Sequence, residues 1–390
     1  MVNSPPPAPT LRVPFCQPDY GTEERAAFEE AIAGGRLEGG GAQTRACETL
    51  MEKSTGAERV LITPSCTAAL EMMALALELG PGDEVIVPAF TFVSTANAFA
   101  LRGAVPVFAD IDPLTMNLDV AAARAAITPK TRAIMLVHYA GVGCEMEAFV
   151  ELCTQHNLVL LEDAAQAVGA HWNGKALGAF GAMGAFSFHH TKNITCGEGG
   201  ALLVNDPALV KPAEFIRDKG TDRADFLRGQ VSKYEWRVLG SSYLLSELAA
   251  AVLLGQFQRE EALTKARMRI WQTYDTHFGP VNSLRTPQIP GAAHHNAHIY
   301  HLRFANQKLR DACAAFMRAH GVMTAPHYVP LHTTPAGRKY GRASGELPHT
   351  LDAAQTLLRL PLYSAMSDEE LALVIDTMEA FLHQNGLATS

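Results

Sequence analysis

The sequence has no surplus of positive charge: 32 Lys and Arg face 40 Asp and Glu, for a net charge of -8. A protein that grips a nucleic-acid backbone needs a basic field, so that class is excluded, while a local pocket for a small anion is not. A cysteine framework is also missing. The 7 cysteines (Cys16, Cys47, Cys66, Cys144, Cys153, Cys196 and Cys313) are odd in number, scattered and without CxxC spacing. That argues against a disulfide scaffold or a structural zinc. No apolar run approaches the roughly 18 residues of a membrane span. Residues 1–10 hold 3 consecutive prolines and neither the basic nor the apolar segment of a signal peptide. Charged residues are scarce, at 18% against 48% hydrophobic, which is too apolar a balance for a disordered chain. These absences predict a protein of a reducing cytoplasm, with a large core and neither nucleic acid nor membrane as partner.

At 390 residues the chain exceeds the roughly 250–300 at which single cores stop growing, so more than one domain is expected. Residues up to 20 read as an extended arm, and 25–34 as a helix stopped by two glycines. From residue 59 onward, short runs of Val, Ile and Leu alternate with amphipathic stretches. Strands are predicted at 59–62, 84–87, 105–109, 131–137, 158–161, 184–188 and 201–204, and helices at 67–79, 94–101 and 145–156. This alternation predicts an α/β fold, a mainly parallel sheet covered by helices on both faces. One long helix is expected over 246–265. Beyond about residue 267 the pattern turns mixed, with a strand at 298–304 and helices at 307–320 and 368–383. The expected division is 1–266, an arm and a large domain, and 267–390, a smaller C-terminal α+β domain.

In open α/β sheets ligands gather at the carboxyl ends of strands. The segment TPSCTAAL, residues 63–70, follows one strand and opens a helix. Its free amides and the hydroxyls of Ser65 and Thr67 suit a phosphate, or form an ordinary N-cap. No GxGxxG or Walker motif offers a competing phosphate loop. The strand at 158–161 runs into Glu162 and Asp163, and a buried acid needs a cation or donor. A protonated heteroaromatic nitrogen is one such partner; a metal or a helix cap are the alternatives. FSFHHTKN, residues 186–193, carries a strand into a turn bearing Lys192. Lysine resists desolvation, and a partly buried one with a depressed pKa is the nucleophile an aldehyde requires; the alternative is a solvated surface lysine. His189 and His190 lack a companion carboxylate–histidine motif, so no metal is expected. Phe92, in PAFTFVST, suits the face of a ring or ordinary core packing. A phosphate cradle, an acid for a pyridinium and a lysine for an aldehyde together are the set that pyridoxal phosphate requires.

The segments TPSCTAALEM, DEVIVPAFTFVSTANAFALRGA, VHYAGVGCEM, EDAAQAVGA, FSFHHTKN with GEGGALL, and KGTDRADFLRGQVSKYEWRVLGSSYLLSEL give the chain a family likeness. From about residue 15 to the C-terminus it resembles the sugar aminotransferases of the DegT/DnrJ/EryC1/StrS family. The resemblance implies the fold-type I pyridoxal 5'-phosphate architecture. Position by position it implies Lys192 as the Schiff-base lysine, Asp163 as the partner of the pyridine nitrogen and Gln166 near the ring hydroxyl. It also implies Phe92 on the ring face and Cys66, Thr67 and Ser187 at the phosphate. Cys66 stands where the wider family has glycine. Ser242 stands where many members place an asparagine that reaches the phosphate of the neighbouring subunit. A related deoxygenating branch carries histidine at the position of Lys192, so lysine there implies transamination. The family's composite sites imply a homodimer.

Within the family the chain looks closest to the transaminases that make dTDP-4-amino-4,6-dideoxygalactose. That implies L-glutamate as donor and a nucleotide-linked 4-keto-6-deoxyhexose as acceptor. Arg228 is then a candidate for the nucleotide phosphates of the partner subunit, or a solvated loop cation; His327 and Tyr328 are candidates for the sugar, or parts of an ordinary turn. An aminotransferase acting at C3 or on a GDP- or UDP-linked ketosugar is the alternative, and a non-catalytic sensor on the same fold is another.

Overall fold

Strands that are apolar at consecutive positions need cover on both faces, and that requirement sets the architecture. The computed structural model describes residues 11–387, so the first half of the expected arm lies outside the described residues. In chain order the strands are β1 (Arg59–Thr63), β2 (Glu84–Pro88), β3 (Val105–Ala109), β4 (Thr131–Val137), β5 (Val159–Asp163), β6 (His171–Trp172), β7 (Lys175–Ala176), β8 (Met183–Ser187), β9 (Gly200–Val204), β10 (Ala293–His294), β11 (His301–Arg303), β12 (Arg342–Ala343) and β13 (Leu357–Arg359). Eight of them form one sheet in the order β1-β9-β8-β5-β4-β2-β3-β12, with β10-β6-β7 and β11-β13 as smaller sheets. In the large sheet β9 runs antiparallel to both β1 and β8. The other pairs are parallel.

Side-chain alternation splits the large sheet's apolar residues between two cores. Ile86, Ile134, Leu136 and Leu203 enter one, and Val85, Val87, Met135 and Leu202 enter the other. A third core gathers Tyr274, Tyr300, Leu302, Leu358 and Phe381 between the β11-β13 pair and the helices Gln307–Ala319 and Asp368–Gln384. Val13 of the N-terminal segment packs into this third core and bridges Val322 in parallel.

Several elements depart from expectation. The helix expected over 246–265 is two helices, Glu247–Gln258 and Glu260–Phe278, joined at Arg259. No glycine or proline marks that break. It coincides instead with the Arg259 guanidinium reaching back to Asp19 and Glu24 of the N-terminal segment. The second helix crosses the expected division at 266/267, with Leu263 in a sheet core and Ile270 in the third core. The strand expected over 298–304 shortens to β11. The elements not anticipated include the helix Ala42–Thr55, which buries Cys47 and Met51, and β12, which extends the large sheet beside β3. Among the described residues no helix is long and apolar enough to cross a membrane.

Candidate active site

The strands that share one direction deliver their carboxyl ends to one edge of the sheet, and there a cavity of about 700 Å³ opens. After β1, Ser65 is extended (φ -164, ψ 161) and caps the helix Cys66–Ala76, its Oγ accepting from the Ala68 amide at 3.1 Å. The amides of Cys66 and Thr67, in the first helical turn, have no intrahelical acceptor, and both residues line the cavity. Thr67 Oγ1 shares a 2.8 Å hydrogen bond with Ser94 Oγ. Ser187, at the end of β8, lines the same end. A side chain at Gly200, on the reversed strand β9, would collide with the backbone of Ser65 and Cys66, so glycine lets the helix start close onto that strand. Cys66 keeps a negative φ and needs no glycine-like freedom. Burial pushes its thiol pKa well up, which leaves its amide as the group suited to an anion.

At the end of β5, alternation sends two neighbouring acids to opposite sides. Glu162 is fully buried away from the cavity. It meets His138 Nε2 at 3.0 Å and accepts from the amides of Gly178, Phe180 and Gly181 at 2.8, 2.6 and 2.7 Å. Because His138 Nδ1 accepts from the Cys144 amide at 3.3 Å, its proton sits on Nε2 and is donated to Glu162. Asp163, 6% exposed, faces the cavity. Its Oδ2 accepts from Thr95 Oγ1 at 2.7 Å and its Oδ1 from the Ala165 amide at 3.2 Å. Burial pushes the Asp163 carboxyl pKa up, while Thr95, the Ala165 amide, Lys192 and His138 pull against that shift.

Lys192 lines the same cavity, and Nζ has no hydrogen-bond acceptor among the described residues. Burial lowers its pKa; the neighbouring Cys66 and Asp163 oppose the shift, and the Arg359 charge adds to it. Gln166 is fixed at both ends, Oε1 accepting from the Ala140 amide at 2.7 Å and Nε2 donating to the Tyr328 hydroxyl at 3.0 Å. The His327 and Tyr328 rings stack at 3.9 Å, and His327 Nδ1 shares a 3.0 Å bond with the Tyr139 hydroxyl. Phe92 caps the helix Val93–Ala100 and borders the cavity with 58% of its surface exposed.

Nine of the expected residues are thus brought together, and two are not. Ser242 is exposed and pairs with Asp218 through an isolated bridge outside the cavity. Arg228, 42% exposed, is engaged within its own chain by Glu214 at 2.7 Å and Asp225 at 2.6 Å. Sequence reasoning missed Thr95, His298, Arg267, Arg359 and Phe15. Thr95 left a trace: it lies one helical turn after Thr91, whose hydroxyl it meets at 2.8 Å. The others line the cavity from separate elements, and no local pattern joins them.

The side chains present fit pyridoxal phosphate. Two free amides and three hydroxyls suit its phosphate, a buried carboxylate suits its ring nitrogen, and an amine without an acceptor suits its aldehyde. The model of the DegT/DnrJ/EryC1/StrS aminotransferase family matches residues 18–379. The spore coat polysaccharide biosynthesis protein SpsC of Bacillus subtilis (strain 168) is 34% identical over 374 residues, 94% of this chain and 96% of that protein. Aminotransferase TlmJ from Streptoalloteichus hindustanus shares the fold with a TM-score of 0.89 at 33% identity, over 96% of this chain and 100% of that one. Spr1654 from Streptococcus pneumoniae, solved in a PLP form, gives a TM-score of 0.88 at 25% identity, over 95% of this chain and 99% of that one. The chain belongs to the DegT/DnrJ/EryC1/StrS aminotransferase family, whose members use pyridoxal phosphate to move an amino group onto a sugar.

Proposed function

We propose that the protein transfers the amino group of L-glutamate to C4 of a nucleotide-linked 4-keto-6-deoxyhexose, converting dTDP-4-keto-6-deoxyglucose to dTDP-4-amino-4,6-dideoxygalactose. The observation that carries the amino-transfer chemistry is the presence in one cavity of the Lys192 amine, with no acceptor, and the Asp163 carboxylate, held by Thr95. The choice of sugar is supported by the motif likeness from 63–72 to 219–248, and the relative SpsC makes a polysaccharide synthesis role for the product apt.

When bound, pyridoxal phosphate supplies an electron sink for breaking a Cα–H bond. The chain's own residues do the rest. The amides of Cys66 and Thr67, with Ser187, hold the phosphate at a helix start. Asp163 keeps a proton on the pyridine nitrogen. Lys192 Nζ holds the aldehyde at rest. During turnover it takes the proton from the donor's α-carbon and later delivers one to the sugar's C4. Its lowered pKa keeps a larger share of the amine neutral near pH 7 than an exposed lysine would have. Gln166, braced by Ala140 and Tyr328, would border the ring hydroxyl, and His327 and Tyr328 would border the sugar.

The working form in this reading is a cytoplasmic homodimer. The support is a run of exposed apolar side chains beside Arg228 and Ser242: Leu227 at 67%, Trp236 at 74% and Leu239 at 58%. A second copy covering that segment would bring Arg228 and Ser242 towards its cavity. The test is turnover of dTDP-4-keto-6-deoxyglucose with L-glutamate, following 2-oxoglutarate and identifying the amino sugar by NMR. An amine at C3, or turnover only with a GDP- or UDP-linked ketosugar, would replace this substrate assignment.

A further inference from the structure

The first turn of the helix Val93–Ala100 serves two ends of the cavity. Ser94 Oγ meets Thr67 at the end with the free amides, and Thr95 Oγ1 meets Asp163. Behind Thr95 stands a second hydroxyl. Thr91 Oγ1 lies 2.8 Å from Thr95 Oγ1, and both residues are buried. Distance alone does not say which of the two donates, but the carboxylate does. An ionised Asp163 can only accept, so Thr95 gives its single proton to Oδ2 at 2.7 Å. The Thr95 oxygen is then the acceptor of the other bond, and the proton in it belongs to Thr91. The chain from Thr91 through Thr95 to Asp163 runs in one direction, while Oδ1 accepts from the Ala165 amide at 3.2 Å.

The two protonation states of Asp163 are not equivalent in this setting. With a carboxylate, both hydroxyl protons are used. A protonated Asp163 that donated to Thr95 would turn both hydroxyls round, and the Thr91 proton would then have no acceptor among the described residues. An unmade bond on a buried donor is costly, so the pair favours the ionised acid. Burial pushes Asp163 the other way, towards the neutral form. Against burial, Thr95 acts ahead of the Ala165 amide and the charges of Lys192 and His138. Cys66 and Tyr328 face the same carboxyl, and burial raises the pKa of both, so they remain uncharged near pH 7. We propose that Thr91 and Thr95 are positioning residues that hold Asp163 ionised, so that the proton it shares with the cofactor's ring nitrogen rests on the nitrogen. The assignment rests on the amino-transfer reading of the same cavity. A carboxyl buried this deeply would otherwise compete for that proton, and a ring without it is a poorer electron sink. Each threonine acts through its neighbour, Thr91 on Thr95 and Thr95 on the acid.

The test loads wild type, Thr95→Val, Thr95→Ser and Thr91→Val with pyridoxal phosphate carrying nitrogen-15 in the ring, and reads that nitrogen by NMR. Valine keeps the shape of threonine and removes the hydroxyl. Wild type should show a protonated ring nitrogen. In Thr95→Val the resonance should move towards that of a neutral pyridine, and Thr95→Ser, which keeps the hydroxyl, should stay with wild type. Thr91→Val should move it less, because Thr95 still donates to the acid. Alongside, kcat should fall about tenfold in Thr95→Val, the effect of one lost hydrogen bond to a charged group, with the KM for L-glutamate unchanged. An unprotonated nitrogen in wild type, a wild-type resonance in Thr95→Val, or a shift in Thr95→Ser as large as in Thr95→Val overturns the proposal. Should Thr95→Val fail to fold or to load cofactor, Thr91→Val decides, and a resonance unmoved there overturns it. A wild-type holoenzyme that takes an amino group from no amino acid would instead overturn the amino-transfer reading, a separate result.

Discussion

The two walls of the cavity differ in how their polar groups are balanced. The wall built on the ends of β1, β5 and β8 is of mixed polarity: amides and hydroxyls at one end, Asp163 held by Thr95 and Ala165, and the free amine of Lys192. One rigid ligand with an anionic tail, a basic ring nitrogen and an aldehyde satisfies all of it. The opposing wall, from residues 15–16, Arg267, His298 and β13, is of one sign and leaves donors without acceptors. A resident group can be matched atom by atom.

Changes in the mixed wall test that contrast most severely. Lys192→Ala should lower turnover by about 10³-fold or more, since both proton transfers lose their carrier, and cofactor absorbance together with 2-oxoglutarate release will measure it. Activity near wild type would show that another group carries the proton. Next, Glu162→Ala should destabilise the fold by about 3–5 kcal/mol in urea unfolding, because three amides and His138 lose their buried acceptor. A loss under about 1 kcal/mol would mean that water replaces the carboxylate.

A smaller effect concerns pH in the cofactor-free protein. The folded-state pKa of Lys192 lies below the ordinary 10.5, so between those two values the unfolded chain binds more protons than the folded one. Lys192 therefore makes stability rise with pH through that window, and Lys192→Met should remove this contribution to the slope. Denaturant midpoints across pH 7 to 10 check it; equal slopes for the two proteins would mean that Lys192 is not desolvated. Smallest of all, Arg228→Ala should cost about 1 kcal/mol or less, as a half-exposed pair, and leave the ketosugar KM unmoved if Arg228 stays with Glu214 and Asp225. A raised KM would show instead that a second copy carries Arg228 into the site.

The same contrast explains what could be read from the sequence. Lys192, Asp163 and the helix start at Ser65 each follow directly on an apolar strand, so a local pattern marks both the strand and the residue that leaves it. Phe15, Arg267 and Arg359 carry no such mark. They meet because the third core draws Val13, Ile270 and Leu358 together, and only packing between distant elements decides that. The break at Arg259 was illegible for a related reason, since ion pairs to Asp19 and Glu24 accompany it where no glycine or proline stands. Arg228 teaches the converse. The arginine itself can be read from the sequence, but its hold on Glu214 and Asp225 of the same chain is seen only in the fold.

The bridge between Val13 and Val322 also bears on how the site comes into being during synthesis. Phe15 and Cys16 are made long before Arg359, Leu360 and Leu362, which share the cavity wall with them. The large sheet, except for its edge strand β12, has all its strands once β9 is made, whereas this pocket waits for β13 and the residues after it. A chain that stops short of β13 would retain the lysine and its acid, yet it would lack Arg359 and the wall that stands against Phe15.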